Sequence, residues 1–265
     1  MPREVPDLPV HRFDAPDGQR LAWRELGEGR PLVLVHGYFS TGVVNWVQYG
    51  HAARIAEEGY RVVMPDLRGH GESAKPHDAD AWPRDVLADD VLALVDHLGL
   101  DQHDHGYDLG GYSLGARTVV RMLVRGATPR RAVIAGMGLS GMTDADAGTD
   151  HYRRVLTRLG SFAPGDPEFL AQAFLRTVGG DPQALLRVLD TNVDTSADEL
   201  GGVVVPSLVL MGEEDLDHGS GPDLAAALPR GTAATVPGSH MGAVARPELG
   251  EAIAGWLGPA RDARG

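Results

Sequence analysis

The apolar positions of this 265-residue chain fall into short runs separated by stretches with helical spacing. His11 to Asp14 and Arg20 to Glu25 alternate apolar and polar residues around the turn signal Ala15-Pro16-Asp17-Gly18, the pattern of an antiparallel hairpin at a sheet edge. Leu32 to Val35 and Val62 to Met64 are almost continuously apolar, with the amphipathic stretch Trp46 to Glu58 between them. Short apolar strands alternating with helices predict βαβ units in a parallel sheet buried on both faces. The rhythm continues through a helix over Asp85 to Leu98, with Val86, Leu87, Val91, Leu94, Val95 and Leu98 at helical spacing. It then runs through a strand over Tyr107 to Leu109, a helix over Ala116 to Val124 and a buried strand over Ala132 to Ala135.

From Met137 to about Val204 the rhythm breaks. The stretch is polar and punctuated by glycine, with helix-like segments at Tyr152 to Leu159, Pro167 to Thr177 and Pro182 to Leu189. Strands resume at Ser207 to Met211 and Ala234 to Val236, and a helix closes near Pro247 to Leu257. We therefore expect an α/β core formed by residues 1–136 and 205–265, interrupted by a helical cap over residues 137–204. The cap follows the carboxyl end of a strand, the side of α/β sheets where ligands bind. Pro259 to Gly265 reads as a loose tail.

Composition narrows the function more by exclusion than by assignment. The net charge of -13 comes from acids scattered along the chain, so no nucleic-acid partner is expected. With 0 Cys there is no thiolate nucleophile and no cysteine metal site, and covalent chemistry of this type falls to serine. Prolines and charges in Met1 to Val10 leave no apolar core for a signal peptide, and the longest apolar runs are strand-sized. The expectation is a cytoplasmic protein with no membrane partner.

The candidate chemistry centres on Gly111-Tyr112-Ser113-Leu114-Gly115, set between a predicted strand and a predicted helix. In that setting a serine sits on a sharp strand-to-helix turn with its hydroxyl held out, and small residues two positions either side let neighbouring backbone pass. A serine hydroxyl is a poor nucleophile at neutral pH, so it needs a base within hydrogen-bond reach and a carboxylate to orient that base. Both types occur late in the chain: Gly212-Glu213-Glu214-Asp215 after one strand and Pro237-Gly238-Ser239-His240 after the next. The order Ser, Asp, His suits a nucleophile elbow on this kind of sheet. Asp215 is the assigned acid, with Asp217 as the alternative in the same acidic loop. His103 and His105, near Asp101, Asp104 and Asp108, have the residue types of a metal site, but they precede a strand at the opposite sheet end and read as a solvated loop. No metal and no cofactor is expected.

On five stretches in order, the chain resembles the α/β-hydrolase superfamily over nearly its whole length. They are His36-Gly37-Tyr38, Asp66-Leu67-Arg68-Gly69-His70-Gly71-Glu72-Ser73, Gly111 to Gly115, Gly212 to Asp215, and Gly238-Ser239-His240. The resemblance implies an α/β-hydrolase fold: a mostly parallel eight-stranded sheet flanked by helices, with a helical cap inserted after strand six. It implies that Ser113 is the nucleophile, His240 the base and Asp215 the orienting acid, with the backbone N–H groups of Tyr38 and Leu114 as oxyanion donors. His36 is assigned to shaping the oxyanion turn and His70 to organising its own turn. Met137, Met142, Tyr152, Phe162, Phe169 and Phe174 of the insertion suit either an acyl pocket or packing of cap on core.

The expected activity is hydrolysis of a small-molecule carboxylic ester, lactone or thioester through a seryl acyl-enzyme. A serine at the elbow argues against the haloalkane dehalogenases and epoxide hydrolases of the superfamily, which carry aspartate there. Two other classes stay open: a carbon-carbon bond hydrolase or biosynthetic lyase or cyclase using the same pocket, and a ligand-binding, receptor-like module with vestigial hydrolysis. The sequence leaves the substrate and the oligomeric state open.

Overall fold

The computed structural model describes residues 5–260, so residues 261–265 of the tail lie outside the described residues. Eight strands form one sheet: β1 (His11–Asp14), β2 (Arg20–Leu26), β3 (Arg30–Val35), β4 (Tyr60–Asp66), β5 (Asp108–Tyr112), β6 (Ala132–Ala135), β7 (Ser207–Gly212) and β8 (Gly231–Val236). Their spatial order is β1-β2-β4-β3-β5-β6-β7-β8. The β1–β2 and β2–β4 pairs are antiparallel and the rest are parallel. The predicted hairpin therefore forms the edge of the sheet.

The continuous apolar runs are explained by burial on both faces. Val33, Val35, Val63, Leu109, Ile134 and Val209 point to one side, under α2 (Val86–His97), α3 (Leu114–Val124) and α9 (Gly221–Ala227). Leu32, Leu34, Val62, Met64, Val133 and Leu208 point to the other, under α1 (His51–Ala56) and α11 (Pro247–Leu257). At the sheet end opposite the elbow, Arg30 pairs with Asp108 at 3.0 Å, and both are buried. Asp108 thus belongs to the core rather than to the neighbouring histidine loop.

Between β6 and β7 lie α4 (Leu139–Thr143), α5 (Thr149–Thr157), α6 (Phe169–Val178), α7 (Pro182–Asp190) and α8 (Ala197–Gly201), with no strand. Val155, Leu156, Leu175, Leu185 and Leu189 of this helical cap pack around Phe39, which sits just past β3. The helix α10 (His240–Val244) follows β8. Among the described residues no helix is long and apolar enough to cross a membrane.

Three local departures from the sequence pattern have physical reasons. The stretch Trp46 to Glu58 is not one helix: a π-helical turn over Val43–Val47 precedes α1, and Gly50 at φ 84 separates them in a conformation glycine adopts without steric penalty. The strand predicted to end at Leu109 runs on to Tyr112, because Gly110 and Gly111 have no side chains to register in a hydrophobic pattern. The helices α4, α8, α9 and α10 have 5–7 residues, too few to show a helical period; Ser196, Ser220 and Ser239 cap the last three.

Candidate active site

β3 has β4 on one side and β5 on the other, with Val35 opposite Gly111 in the parallel register. The chain leaves these adjacent strand ends in different directions, which opens a crevice of the kind where α/β sheets bind ligands. Ser113 follows β5 directly at φ 54, ψ −114, a region that residues with a side chain rarely occupy. The surrounding backbone holds it there: its N–H donates to the Ala135 carbonyl at 2.8 Å, and its carbonyl accepts from Arg117 N–H at 3.1 Å. A Cβ on Gly111 would fall under 3.0 Å from the backbone of Gly115, and one on Gly115 under 3.0 Å from the Val35 carbonyl. Both glycines are needed for α3 to start this close to the sheet.

The two late loops bring their acid and imidazole to the same serine. Glu213 N–H donates to the Val236 carbonyl (2.8 Å) and Glu214 N–H to that of Gly238 (3.1 Å), tying the loop after β7 to the loop after β8. His240 Nδ1 lies 2.8 Å from Asp215 Oδ2, and its Nε2 lies 3.1 Å from Ser113 Oγ. A carboxylate only accepts, so Nδ1 carries the proton and Nε2 is the acceptor facing the serine hydroxyl. Tyr112 O–H donates to the His240 carbonyl at 2.6 Å, so the residue before the serine also tethers the histidine backbone. Burial works to raise the Asp215 pKa, but the hydrogen bond and charge of His240 outweigh it and hold the carboxyl below its usual range. Asp217 is exposed, and its N–H donates to Asp215 Oδ1 at 3.2 Å. It steadies the acid that touches the histidine.

The turn His36-Gly37-Tyr38 lies against the elbow: a Cβ on Gly37 would sit 3.4 Å from Ser113 Cβ. His36 Nε2 accepts from Leu67 N–H at 3.0 Å while Nδ1 donates to the Gly37 carbonyl at 2.8 Å. Desolvation lowers its pKa, keeping the imidazole in the neutral form that these bonds require. Asn45 Oδ1 accepts from Gly37 N–H at 3.0 Å, and Tyr38 O–H donates to the Leu185 carbonyl of α7 at 2.6 Å. Asn45 went unrecognised in the sequence because it sits in the π-helical turn, for which the pattern gave no signal. Leu114 is the first residue of α3, where amide donors have no intrahelical acceptor.

A cavity of about 410 Å3 opens on Ser113 and His240. Val44, Tyr49, Ala171, Phe174 and Val244 line it, with the exposed Leu170 and Met241 at its rim. A second, of about 40 Å3, reaches the same serine from the side of Arg117, Asn192 and His218. Tyr152 lines both and stands edge-on to Tyr38 (5.2 Å between ring centres) and to Phe39 (5.5 Å). Of the other aromatic and Met residues noted in the insertion, Phe174 lines the larger cavity and Met137 the smaller, Met142 is core, and Phe162 lies against Arg158. Among the described residues, the His, Asp or Glu trio whose ligand atoms gather within 4.8 Å is Asp215, Asp217 and His240, and its imidazole is already engaged by Asp215 and Ser113.

With this geometry in place, comparison with known proteins is decisive for the family: the alpha/beta hydrolase fold model matches residues 30–191. The chain belongs to the alpha/beta hydrolase fold family. This alpha/beta hydrolase is 32% identical over 213 residues to a pimeloyl-[acyl-carrier protein] methyl ester esterase of Vibrio cholerae, covering 74% of this chain and 80% of that protein. It is 42% identical over 129 residues to the dihydrolipoyllysine-residue acetyltransferase component of the acetoin cleaving system of Pseudomonas putida, covering 46% of this chain and 31% of that one. The chain spans 31%, 32% and 42% of the length of the first three curated relatives it matches. Among solved structures, an esterase from Exiguobacterium antarcticum superposes with a TM-score of 0.75 at 20% identity, over 93% of this alpha/beta hydrolase and 98% of that chain.

Proposed function

We propose that this alpha/beta hydrolase cleaves small-molecule carboxylic esters through a seryl ester, with Ser113 as nucleophile, His240 as base and Asp215 as its orienting acid. The observation that carries the reading is the continuous relay Asp215 Oδ2, His240, Ser113 Oγ with links of 2.8 and 3.1 Å, opening on a cavity sized for a small ligand. Relatives named as esterases support the same reaction class.

In the first half-reaction His240 Nε2 takes the Ser113 proton as Oγ bonds to the acyl carbon. The tetrahedral oxyanion is met by the N–H groups of Tyr38 and Leu114, the latter at the positive end of α3. The bond from acyl carbon to alcohol oxygen then breaks, and the alcohol leaves with the proton held by His240. A water repeats the sequence: His240 takes its proton, its oxygen bonds to the acyl carbon, and Oγ departs reprotonated with release of the acid. Asp215 stays ionised throughout, holding the imidazole in the Nδ1–H tautomer and stabilising the imidazolium. Residues 137–204 act as the cap that roofs the pocket.

The test is ester hydrolysis by the wild type and by Ser113→Ala. The reading predicts a fall of at least about a thousandfold in kcat for the variant. Equal turnover by the two proteins removes Ser113 from the mechanism.

A further inference from the structure

Arg117 has no part in the acyl transfer proposed above, yet it lies one helical turn after Ser113 on α3 and lines the smaller cavity. Its guanidinium is firmly held. Nε donates to the Gly141 carbonyl at 3.1 Å, and Nη1 donates to the Ala145 carbonyl and to Asn192 Oδ1, both at 3.1 Å. All three acceptors are neutral. Among the described residues Nη2 has no acceptor, and no carboxylate lies within ion-pair distance of the group. Asp146, Asp194 and Asp144 act on it from farther away, and the Asp194 carboxylate is spent on the Ala145 N–H.

Other arginines differ: Arg131 and Arg84 meet backbone carbonyls as Arg117 does, but three more face a carboxylate directly. Arg30 faces Asp108 at 3.0 Å, Arg68 faces Asp90 at 2.7 Å and Arg121 faces Asp85 at 3.0 Å. A partly buried guanidinium fixed in orientation, with the two N–H groups of Nη2 free and no carboxylate from its own chain, can receive an anion. Desolvation pulls the Arg117 pKa down, but a guanidinium remains charged at neutral pH.

The two cavities divide the ester. His240 lines the larger one, so the alcohol that takes its proton from that imidazole leaves on that side. The acyl portion then extends into the smaller cavity, toward Arg117. About 40 Å3 accommodates a few water-sized groups, which suits a short chain ending in a carboxylate rather than a bulky acyl group. Ser113 and Arg117 line this same small cavity, so the anion lies a short chain away from the scissile carbonyl.

We infer that Arg117 is a specificity residue that binds a carboxylate at the far end of a short acyl chain, making half-esters of small dicarboxylic acids the preferred substrate class. The inference rests on the seryl-ester reading for its activity test and on binding for an independent one. In the first, kcat/KM is measured for monomethyl glutarate and for methyl valerate, which has the same chain length with a methyl group in place of the carboxylate. The wild type is expected to favour the glutarate half-ester by at least about tenfold. The ratio should fall to about one in Arg117→Gln and lie between in Arg117→Lys. A wild-type ratio of one or below overturns the inference and leaves the hydrolase reading standing, and it needs no variant to fold. Should neither ester be cleaved and Ser113 resist phosphonate labelling, the hydrolase reading is what fails. The anion site is then judged by calorimetric titration with glutarate: saturable binding in wild type that Arg117→Gln loses supports it, and no binding in wild type overturns it.

Discussion

Ser113 carries a backbone strain that a surface serine would not tolerate, since φ 54 with ψ −114 costs a residue with a Cβ about 1–3 kcal/mol. Glycine lacks that cost. Ser113→Gly is therefore expected to raise unfolding stability by about 1 kcal/mol in denaturant titration while abolishing ester turnover; a loss of stability would show that the elbow is unstrained. Asp215 and Asp217 make a second contrast at this scale. Asp215→Asn favours the wrong imidazole tautomer and should lower kcat by up to about 10⁴, whereas Asp217→Asn, which keeps the N–H bond to Asp215, should stay within about threefold. Steady-state kinetics on both variants checks this, and the reverse order would reassign the acid. That Ser113 and His240 would meet could be anticipated because each follows shortly after a predicted strand, at the same end of the sheet. The acid was harder to single out because Glu213, Glu214, Asp215 and Asp217 crowd one loop, and only the fold determines which carboxylate meets Nδ1. Arg117 was invisible as a binding residue, because nothing in its spacing shows that it lacks an acidic partner.

At the scale of elements, the site depends on how closely α3 starts against the end of β3. Gly115→Ala would drive a methyl into the Val35 carbonyl, where backbone rather than a pliant side chain has to move. A loss of about 2–3 kcal/mol in unfolding free energy is expected, and a change below about 0.5 kcal/mol would show that the helix start has slack. The π-helical turn at Val43–Val47 does comparable work from the other side, since it aims Asn45 at the Gly37 N–H. Long strands and helices were readable from their periods. The π turn and the short capped helices were not, because their positions follow from hydrogen bonds to distant segments rather than from any local repeat.

Across the whole molecule, the alternating faces of the sheet account for nearly all the apolar runs, which is why the α/β architecture is legible in the sequence. The desolvated imidazoles, His36 and His70 buried and His218 partly so, give the molecule a pH dependence. Desolvation, with smaller contributions from His240 and Arg117, lowers the His218 pKa to about 4; burial also lowers those of His36 and His70. An unfolded histidine protonates near 6.5, so between that pH and about 4 the unfolded state binds the extra proton and stability falls as pH drops. From pH 7.5 to 5 the His218 contribution to that loss is about 2 kcal/mol. Urea titrations should show His218→Gln losing less stability over this interval than wild type; equal losses would remove His218 from the account. The central claim, that Ser113 is an activated nucleophile, is tested most directly by intact and peptide mass spectrometry after exposure to an aryl phosphonate. The expected result is one phosphonyl adduct per chain, on the peptide containing Ser113 and absent from Ser113→Ala. Ester hydrolysis by a chain whose Ser113 stays unmodified would contradict it.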